Sequence, residues 1–255
     1  MTGVASDGSE RTLSIVVPAY NEARRLGHLF EALERDADGA AESAGFRLVE
    51  VIVIDDGSID ATGEMLDAYA GLDGRLRIVH FQHNRGKGAA VREGMLAAKG
   101  AFGLVTDVDL STPLADLPVL ATGLVTLEVD VAIGSRALPG SQVLVRQPTH
   151  RELMGKAFNV ALRLLTGLPF RDTQCGFKLF RIGTTRILFE QQRVPGFAYD
   201  AEICVLARQQ GLRVTEFPVR WTNHPDTQVR LVGSSARMAF DLLRIAFLAR
   251  RSGRG

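Results

Sequence analysis

Two aspartates one residue apart, Asp107 and Asp109, close a short apolar run at 101–106 and open a turn that carries Pro113. At the end of an extended strand, residues i and i+2 point to the same side, so both carboxylates converge just past a buried strand. Carboxylates that close repel each other unless one takes a proton or a cation sits between them. A hard divalent ion that also holds phosphate oxygens resolves the conflict, and Mg²⁺ is ordinarily bound by one or two carboxylates plus substrate phosphates. Taken alone, D-x-D is equally what an acidic turn looks like. Two more polar stretches follow neighbouring apolar runs. Asp55-Asp56-Gly57-Ser58 follows 48–54 and offers carboxylates to a nucleoside's ring N–H or ribose hydroxyls, or simply forms a turn at Gly57. Asn84-Arg85-Gly86-Lys87-Gly88 follows 76–81 and brings Lys87 and backbone N–H groups to a helix start, a natural anion site. Residues 18–22 lack the glycines of a dinucleotide fingerprint, and Gly86-Lys87-Gly88 lacks the spacing of a Walker A loop.

The elements that must hold these motifs alternate. Runs at 13–17, 48–54, 76–81, 101–106 and 129–133 read as buried strands. Helices are predicted at 23–35, at 61–70 with Asp60 as cap, at 89–98 and over part of 114–127. Residues 37–45 read as a small-residue connector and 138–148 as a loop with Gly140, Gln142 and Arg146. A helix at 151–165, a polar turn from 171 feeding a short strand, a helix at 198–210 and a strand at 214–219 follow. Strands alternating with helices indicate an α/β protein with a mostly parallel, Rossmann-like sheet flanked by helices. The polar motifs fall at the carboxyl ends of strands, where such sheets bind ligands.

At 255 residues, 46% hydrophobic and 23% charged, the chain is large enough for one full domain. A net charge of +1 with dispersed basic residues gives no case for a nucleic-acid partner. Cys175 and Cys204 lie among apolar neighbours and no secretory leader is present, so both read as reduced thiols of a cytoplasmic protein. No apolar run of about 18 residues exists to span a bilayer. Residues 1–11 read as a flexible tail. The last stretch, 233–255, reads as an amphipathic helix with Arg237, Asp241, Arg244 and Arg251 on a narrow stripe and Met238, Phe240, Leu243 and Phe247 elsewhere. So broad an apolar face needs its own core, a dimer contact, a small membrane protein or a membrane interface.

Together, Pro18-Ala19-Tyr20-Asn21-Glu22, then D-D-G-S, N-R-G-K-G and D-x-D, each after its strand, resemble the family 2 glycosyltransferases of the GT-A fold. Gly134-Ser135-Arg136, Arg151, Arg171-Asp172-Thr173-Gln174-Cys175-Gly176-Phe177-Lys178-Leu179-Phe180, Tyr199-Asp200-Ala201-Glu202 and Val219-Arg220-Trp221-Thr222 are similar to the dolichyl-phosphate β-glucosyltransferases and their bacterial polyprenyl-phosphate relatives. The resemblance implies a nucleotide-binding half at 12–136, an acceptor half at 137–232, and inverting transfer of a hexose, glucose favoured, from a UDP-sugar to a polyprenyl monophosphate. It implies nucleotide contacts at Pro18, Ala19, Tyr20, Glu22, Asp55, Asp56, Lys87, Asp107 and Val108, and Mg²⁺ or Mn²⁺ at Asp107 and Asp109. Arg136, Arg151 and Lys178 are candidates for the acceptor phosphate. Asp172 and Asp200 are the acids to examine if a proton must be taken. Such an enzyme would sit peripherally at the cytoplasmic face of a membrane. Two departures stand out: the eukaryotic enzyme's amino-terminal membrane helix has no counterpart, and Ser111 replaces the Gln of the related mannosyltransferases' D-x-D-x-Q. A glycosyltransferase with a hydroxyl acceptor and a catalytically silent sugar-nucleotide-binding protein are the alternatives.

Overall fold

The computed structural model describes residues 11–69, 71–224 and 231–251, with the side chains at 73, 150, 151, 231–239 and 251 outside the described set. The tail expected at 1–11 therefore lies outside it except for Arg11, as do the side chains of Arg151, Arg237, Met238 and Arg251.

The strands are β1 (Thr12–Ala19), β2 (Arg47–Asp55), β3 (Leu76–His80), β4 (Phe102–Val105), β5 (Val131–Ser135), β6 (Gln142–Val145), β7 (Lys178–Arg181), β8 (Val214–Pro218) and β9 (Arg220–Thr222). The helices are α1 (Ala23–Ser43), α2 (Thr62–Ala68), α3 (Lys87–Ala97), α4 (Leu117–Thr126), α5 (Thr149–Thr166), α6 (Ile182–Gln191), α7 (Tyr199–Gln209) and α8 (Leu231–Arg251). Seven strands form one sheet in the order β3-β2-β1-β4-β7-β5-β8, parallel throughout except for β7, which runs antiparallel to both β4 and β5. The expected halves at 12–136 and 137–232 thus share a single sheet, since β7 is inserted between strands of the first half. β2 and β4 flank β1 on opposite sides, so a crevice opens at the carboxyl ends of β1 and β4.

Strand periodicity explains the layers. Leu13, Ile15 and Val17 pack with Leu26, Leu29 and Leu33 of α1 on one face. Val16, Ile52 and Ile54 turn to the other face with Val91 and Met95 of α3 and Tyr199 of α7.

The sequence expectation contains no helix at Ile182–Gln191 and no strand at Arg220–Thr222, where α6 and β9 form, and three further features differ. α1 continues through the small-residue stretch to Ser43, because Ala37, Ala40 and Ala41 are good helix formers that let the helix bury its last turns against the core. The loop predicted at 138–148 contains β6, which pairs with β9, a partner about 75 residues away that no local pattern announces. Asp60 does not occupy the N-cap of α2, which is Ala61, but accepts the Thr62 N–H at 3.0 Å and so still orders the helix entry. At the C-terminal end, α8 buries Leu242, Ile245, Ala246 and Ala249 toward α5 and α7 and leaves Phe240, Leu243 and Phe247 exposed. Asp241, predicted on the polar stripe, is buried instead, 5% exposed, because its side of the helix faces the domain.

Candidate active site at the carboxyl ends of the strands

The D-x-D turn is held by its own backbone. Leu110 N–H donates to the Asp107 carbonyl at 3.1 Å and Ser111 N–H to Asp109 Oδ1 at 2.9 Å, so the second carboxylate is oriented by the turn it starts. Closing the turn puts Leu110 at φ 45°, a left-handed conformation that costs a non-glycine residue about 1–2 kcal/mol. Each carboxylate has a basic neighbour. Lys87 Nζ lies 2.6 Å from Asp107 Oδ1, and Arg25 Nη1 lies 3.6 Å from Asp109 Oδ2. Burial raises the Asp107 carboxyl, but Lys87, Lys178 and Arg136 outweigh it and hold the group below its ordinary range.

Glu22, the N-cap residue of α1, is ion-paired with Arg25 at 2.5 Å, one turn along the helix. Burial is the largest influence on it; Arg25 opposes, Asp109 and Asp107 add, and the result is a carboxyl raised to about 7. Asn21 is held at φ 55° while its side chain accepts the Ile59 N–H and its own N–H meets Ser58, tying the first motif to the second.

The D-D-G-S carboxylates are both buried. Asp55 accepts the Ser58 N–H at 3.0 Å and meets His80 Nδ1 at 2.9 Å. Asp56 accepts Arg85 N–H at 2.7 Å, Gly86 N–H at 2.8 Å and the Asn84 amide at 2.9 Å. The backbone donors expected to await an outside anion before α3 are therefore given in part to Asp56. Gly57, at φ 68°, is demanded twice, by its left-handed backbone and by the Asn84 nitrogen only 2.7 Å from where a Cβ would stand.

The long motif from Arg171 to Phe180 organises the other wall. Asp172 takes Arg136 in two prongs, Nε at 2.7 Å and Nη2 at 2.8 Å, and also accepts the Arg136 backbone N–H. Burial pushes Asp172 up, yet the charge and hydrogen bonds of Arg136 prevail and keep it below the ordinary carboxylate range. Glu216 of β8 in turn accepts the backbone N–H groups of Arg171 and Asp172 at 2.8 Å. The guanidinium of Arg136 lies 5.3 Å from the Trp221 ring, and Arg220 next to it is fixed by Asp116 at 2.7 Å. Gly176 abuts the Asp107 carboxylate, whose carbon lies 2.6 Å from where a Gly176 Cβ would be. Lys178 is 1% exposed and bonds Asp200 and the Cys175 carbonyl. Burial dominates the Asp200 carboxyl and raises it, against the pull of Lys178 and Lys87.

Glu22, Lys87, Asp107, Asp109, Arg136, Asp172 and Lys178 thus gather at one crevice. Pro18 and Ala19 line the end of β1, Val108 is buried beneath the turn and Tyr20 is half-exposed at the rim. Neither Asp172 nor Asp200 is a ready proton acceptor, since each is already bonded to a basic side chain. Lys178 does not reach the surface from its buried position. Arg151 lies on α5 with its side chain outside the described residues. The sequence reading missed Arg25, although its i,i+3 spacing from Glu22, the residue just ahead of the helix predicted at 23–35, was available. It also passed over Gly176 and Trp221 as individuals, whose proximity to Asp107 and Arg136 has no local signal.

Comparison with known proteins decides the family: the glycosyl transferase family 2 profile matches residues 14–186. This chain belongs to glycosyl transferase family 2. Within that family it is 36% identical over 247 residues to dolichyl-phosphate beta-glucosyltransferase of Drosophila melanogaster, covering 94% of this chain and 76% of that one. The human enzyme of the same name is 33% identical over 247 residues, with 94% and 76% covered. Among solved structures, glucosyl-3-phosphoglycerate synthase of Mycobacterium tuberculosis, crystallised with Mn²⁺, UDP and glucosyl-3-phosphoglycerate, superposes with a TM-score of 0.64. It covers 94% of this chain and 80% of its own at 19% identity, a likeness of fold that confirms the GT-A expectation for this family 2 member.

Proposed function

We propose that this chain is an inverting glycosyltransferase that moves a hexose, glucose by preference, from a UDP-sugar to the phosphate of a polyprenyl monophosphate. The observation that carries the reading is the fit of the 171–180 motif against the D-x-D: Gly176 packs on the Asp107 carboxylate, while Asp172, four residues before it, holds the Arg136 guanidinium in two prongs on the same side of the crevice. An acceptor phosphate beside Arg136 would face the donor diphosphate beside the D-x-D. Relatives named for dolichyl-phosphate glucosylation support the acceptor and the sugar, and the UDP-bound structural neighbour supports the donor.

A phosphate is already anionic at neutral pH, so its oxygen attacks the anomeric carbon without a general base and needs only positioning. The new bond forms on the face opposite the departing UDP, whose β-phosphate oxygen leaves with the bonding pair, and the configuration inverts. Arg136 orients the acceptor, Asp172 holds Arg136, and Arg151 is a second candidate cation there. Lys178 acts from within, fixing Asp200 and the Cys175 carbonyl, rather than at the acceptor. Residues 12–136, Arg136 apart, serve the donor, with Asp55 and Asp56 shaping the nucleoside pocket, and 137–232 the acceptor.

The D-x-D suits a hard divalent cation, Mg²⁺ or Mn²⁺: its donors are all carboxylate oxygens, and no cluster of three His, Cys, Asp or Glu side chains among the described residues would complete a protein cage. Bound between Asp107 and Asp109, it would supply charge neutralisation on the leaving diphosphate.

No described helix is long and apolar enough to cross a membrane. A lipid acceptor nonetheless calls for docking at the cytoplasmic face of one. Exposed Val143, Leu144 and Val145 on β6, Leu153 and Met154 on α5 and Phe240, Leu243 and Phe247 on α8 support this, with Arg146, Lys156, Arg244 and Arg250 exposed among them for anionic headgroups. A homodimer or a small membrane protein covering this face would show as loss of vesicle binding by the purified chain.

The test is incubation with radiolabelled UDP-glucose and other UDP-hexoses, Mg²⁺ or Mn²⁺, and a polyprenyl phosphate. Label in an acid-labile lipid supports the reading. Sugar on a hydroxyl acceptor, or no transfer with any donor, overturns it.

A further inference from the structure

The D-x-D carboxylates are not bare: Lys87 holds Asp107 at 2.6 Å and Arg25 stands 3.6 Å from Asp109. Lys87 is the closer, and its side chain is only 19% exposed, so water screens the pair weakly. A divalent ion entering between Asp107 and Asp109 must therefore meet an ammonium already seated on one of its two ligands.

We infer that Lys87 is a stand-in cation that occupies the metal's ligand until the donor arrives, so that metal and donor load as one unit. When the diphosphate enters, its oxygens offer Lys87 a new anionic partner. The ammonium, protonated throughout, moves from carboxylate to phosphate and frees Asp107 for the metal. Gly86 and Gly88 leave this movement to the lysine side chain alone: a Cβ on either would meet the 194–196 backbone, with Val194 O 2.7 Å from that of Gly88, so the backbone around Lys87 is packed in place. The arrangement keeps the site charge-balanced when empty and makes metal held without donor unfavourable. The inference rests on the metal reading of the D-x-D given above and adds the residue that gates it.

The test reads bound Mn²⁺ directly, from loss of the free-ion electron paramagnetic resonance signal, with and without UDP. The Asp107→Asn protein serves as the blank for other sites. Lys87→Met is expected to bind Mn²⁺ alone about five- to tenfold more tightly than wild type while binding UDP with Mn²⁺ more weakly, an opposite pair of changes that mere loosening of the fold would not give. Lys87→Arg, which keeps the charge, is expected to retain the weak metal-alone binding. Should Lys87→Met not fold, Lys87→Gln carries the same expectation, with the melting temperature as control. Equal or weaker metal-alone binding by the neutral variants overturns the inference while leaving the metal site standing. If wild type and the Asp107→Asn blank are indistinguishable even with UDP, the metal reading itself fails, and this inference with it.

Discussion

Gly176 and Asp107 are in contact across the crevice: the glycine's missing Cβ is the space that the Asp107 carboxylate occupies, with the carboxylate carbon 2.6 Å from where it would stand. Two motifs nearly 70 residues apart in the chain are thus fitted to each other by the absence of one methyl group. Gly176→Ala introduces no left-handed backbone, and it has to displace a side chain at the surface of the crevice rather than backbone. The melting temperature is expected to fall by a few degrees only, while sugar transfer drops by about two orders of magnitude through misplacement of Asp107. Transfer at a wild-type rate would show that the position of Asp107 is unimportant.

Asp109→Ala removes a carboxylate without a buried partner collapsing around it. Loss of transition-state charge stabilisation of about 3–4 kcal/mol lowers kcat by about 10²–10³. Steady-state kinetics with saturating donor measures it, and near-normal turnover contradicts the assignment.

Arg136 depends on Asp172 for its direction. Asp172→Ala leaves the guanidinium without its two-pronged partner and is expected to raise KM for the polyprenyl phosphate at least about tenfold, with donor binding changed little. Isothermal titration with UDP and acceptor-dependence kinetics separate the two. A loss confined to UDP affinity would move Arg136 to the donor side.

Glu22 gives the fold a pH dependence with a definite sign. Its carboxyl is raised from 4.5 to about 7 by burial first, so the folded chain holds a proton that the unfolded chain releases. Stability contributed by this group is present below the unfolded value and is lost as pH rises toward about 7, with no further change above. The melting temperature of Glu22→Gln, relative to wild type, is therefore expected to rise between about pH 5 and about pH 8. A difference that stays constant with pH would mean that Glu22 is ionised across the range.

Leu144→Ser combined with Leu153→Ser removes exposed apolar side chains from β6 and α5 without touching the core. Flotation with vesicles of anionic phospholipid should fall several-fold, and Phe240→Ser combined with Leu243→Ser on the exposed side of α8 should show a loss of its own. Flotation unchanged in both would end the membrane assignment of this face.

What the sequence determined by itself was periodic or local. Strand runs such as 13–17 and 48–54, the acidic turns at their ends and the order of the motifs were enough for the α/β class, the sheet and the family, because each is written in neighbouring residues. The tertiary structure decided the partnerships. Lys87 on Asp107, Asp172 on Arg136, Lys178 sunk against Asp200, and β6 against β9 join residues from 20 to 78 positions apart, and no spacing encodes such distances. Lys178 shows the limit most plainly. A lysine in a polar motif reads as a surface cation, but β7 is inserted in the middle of the sheet, and burial there ties the charge to an internal aspartate.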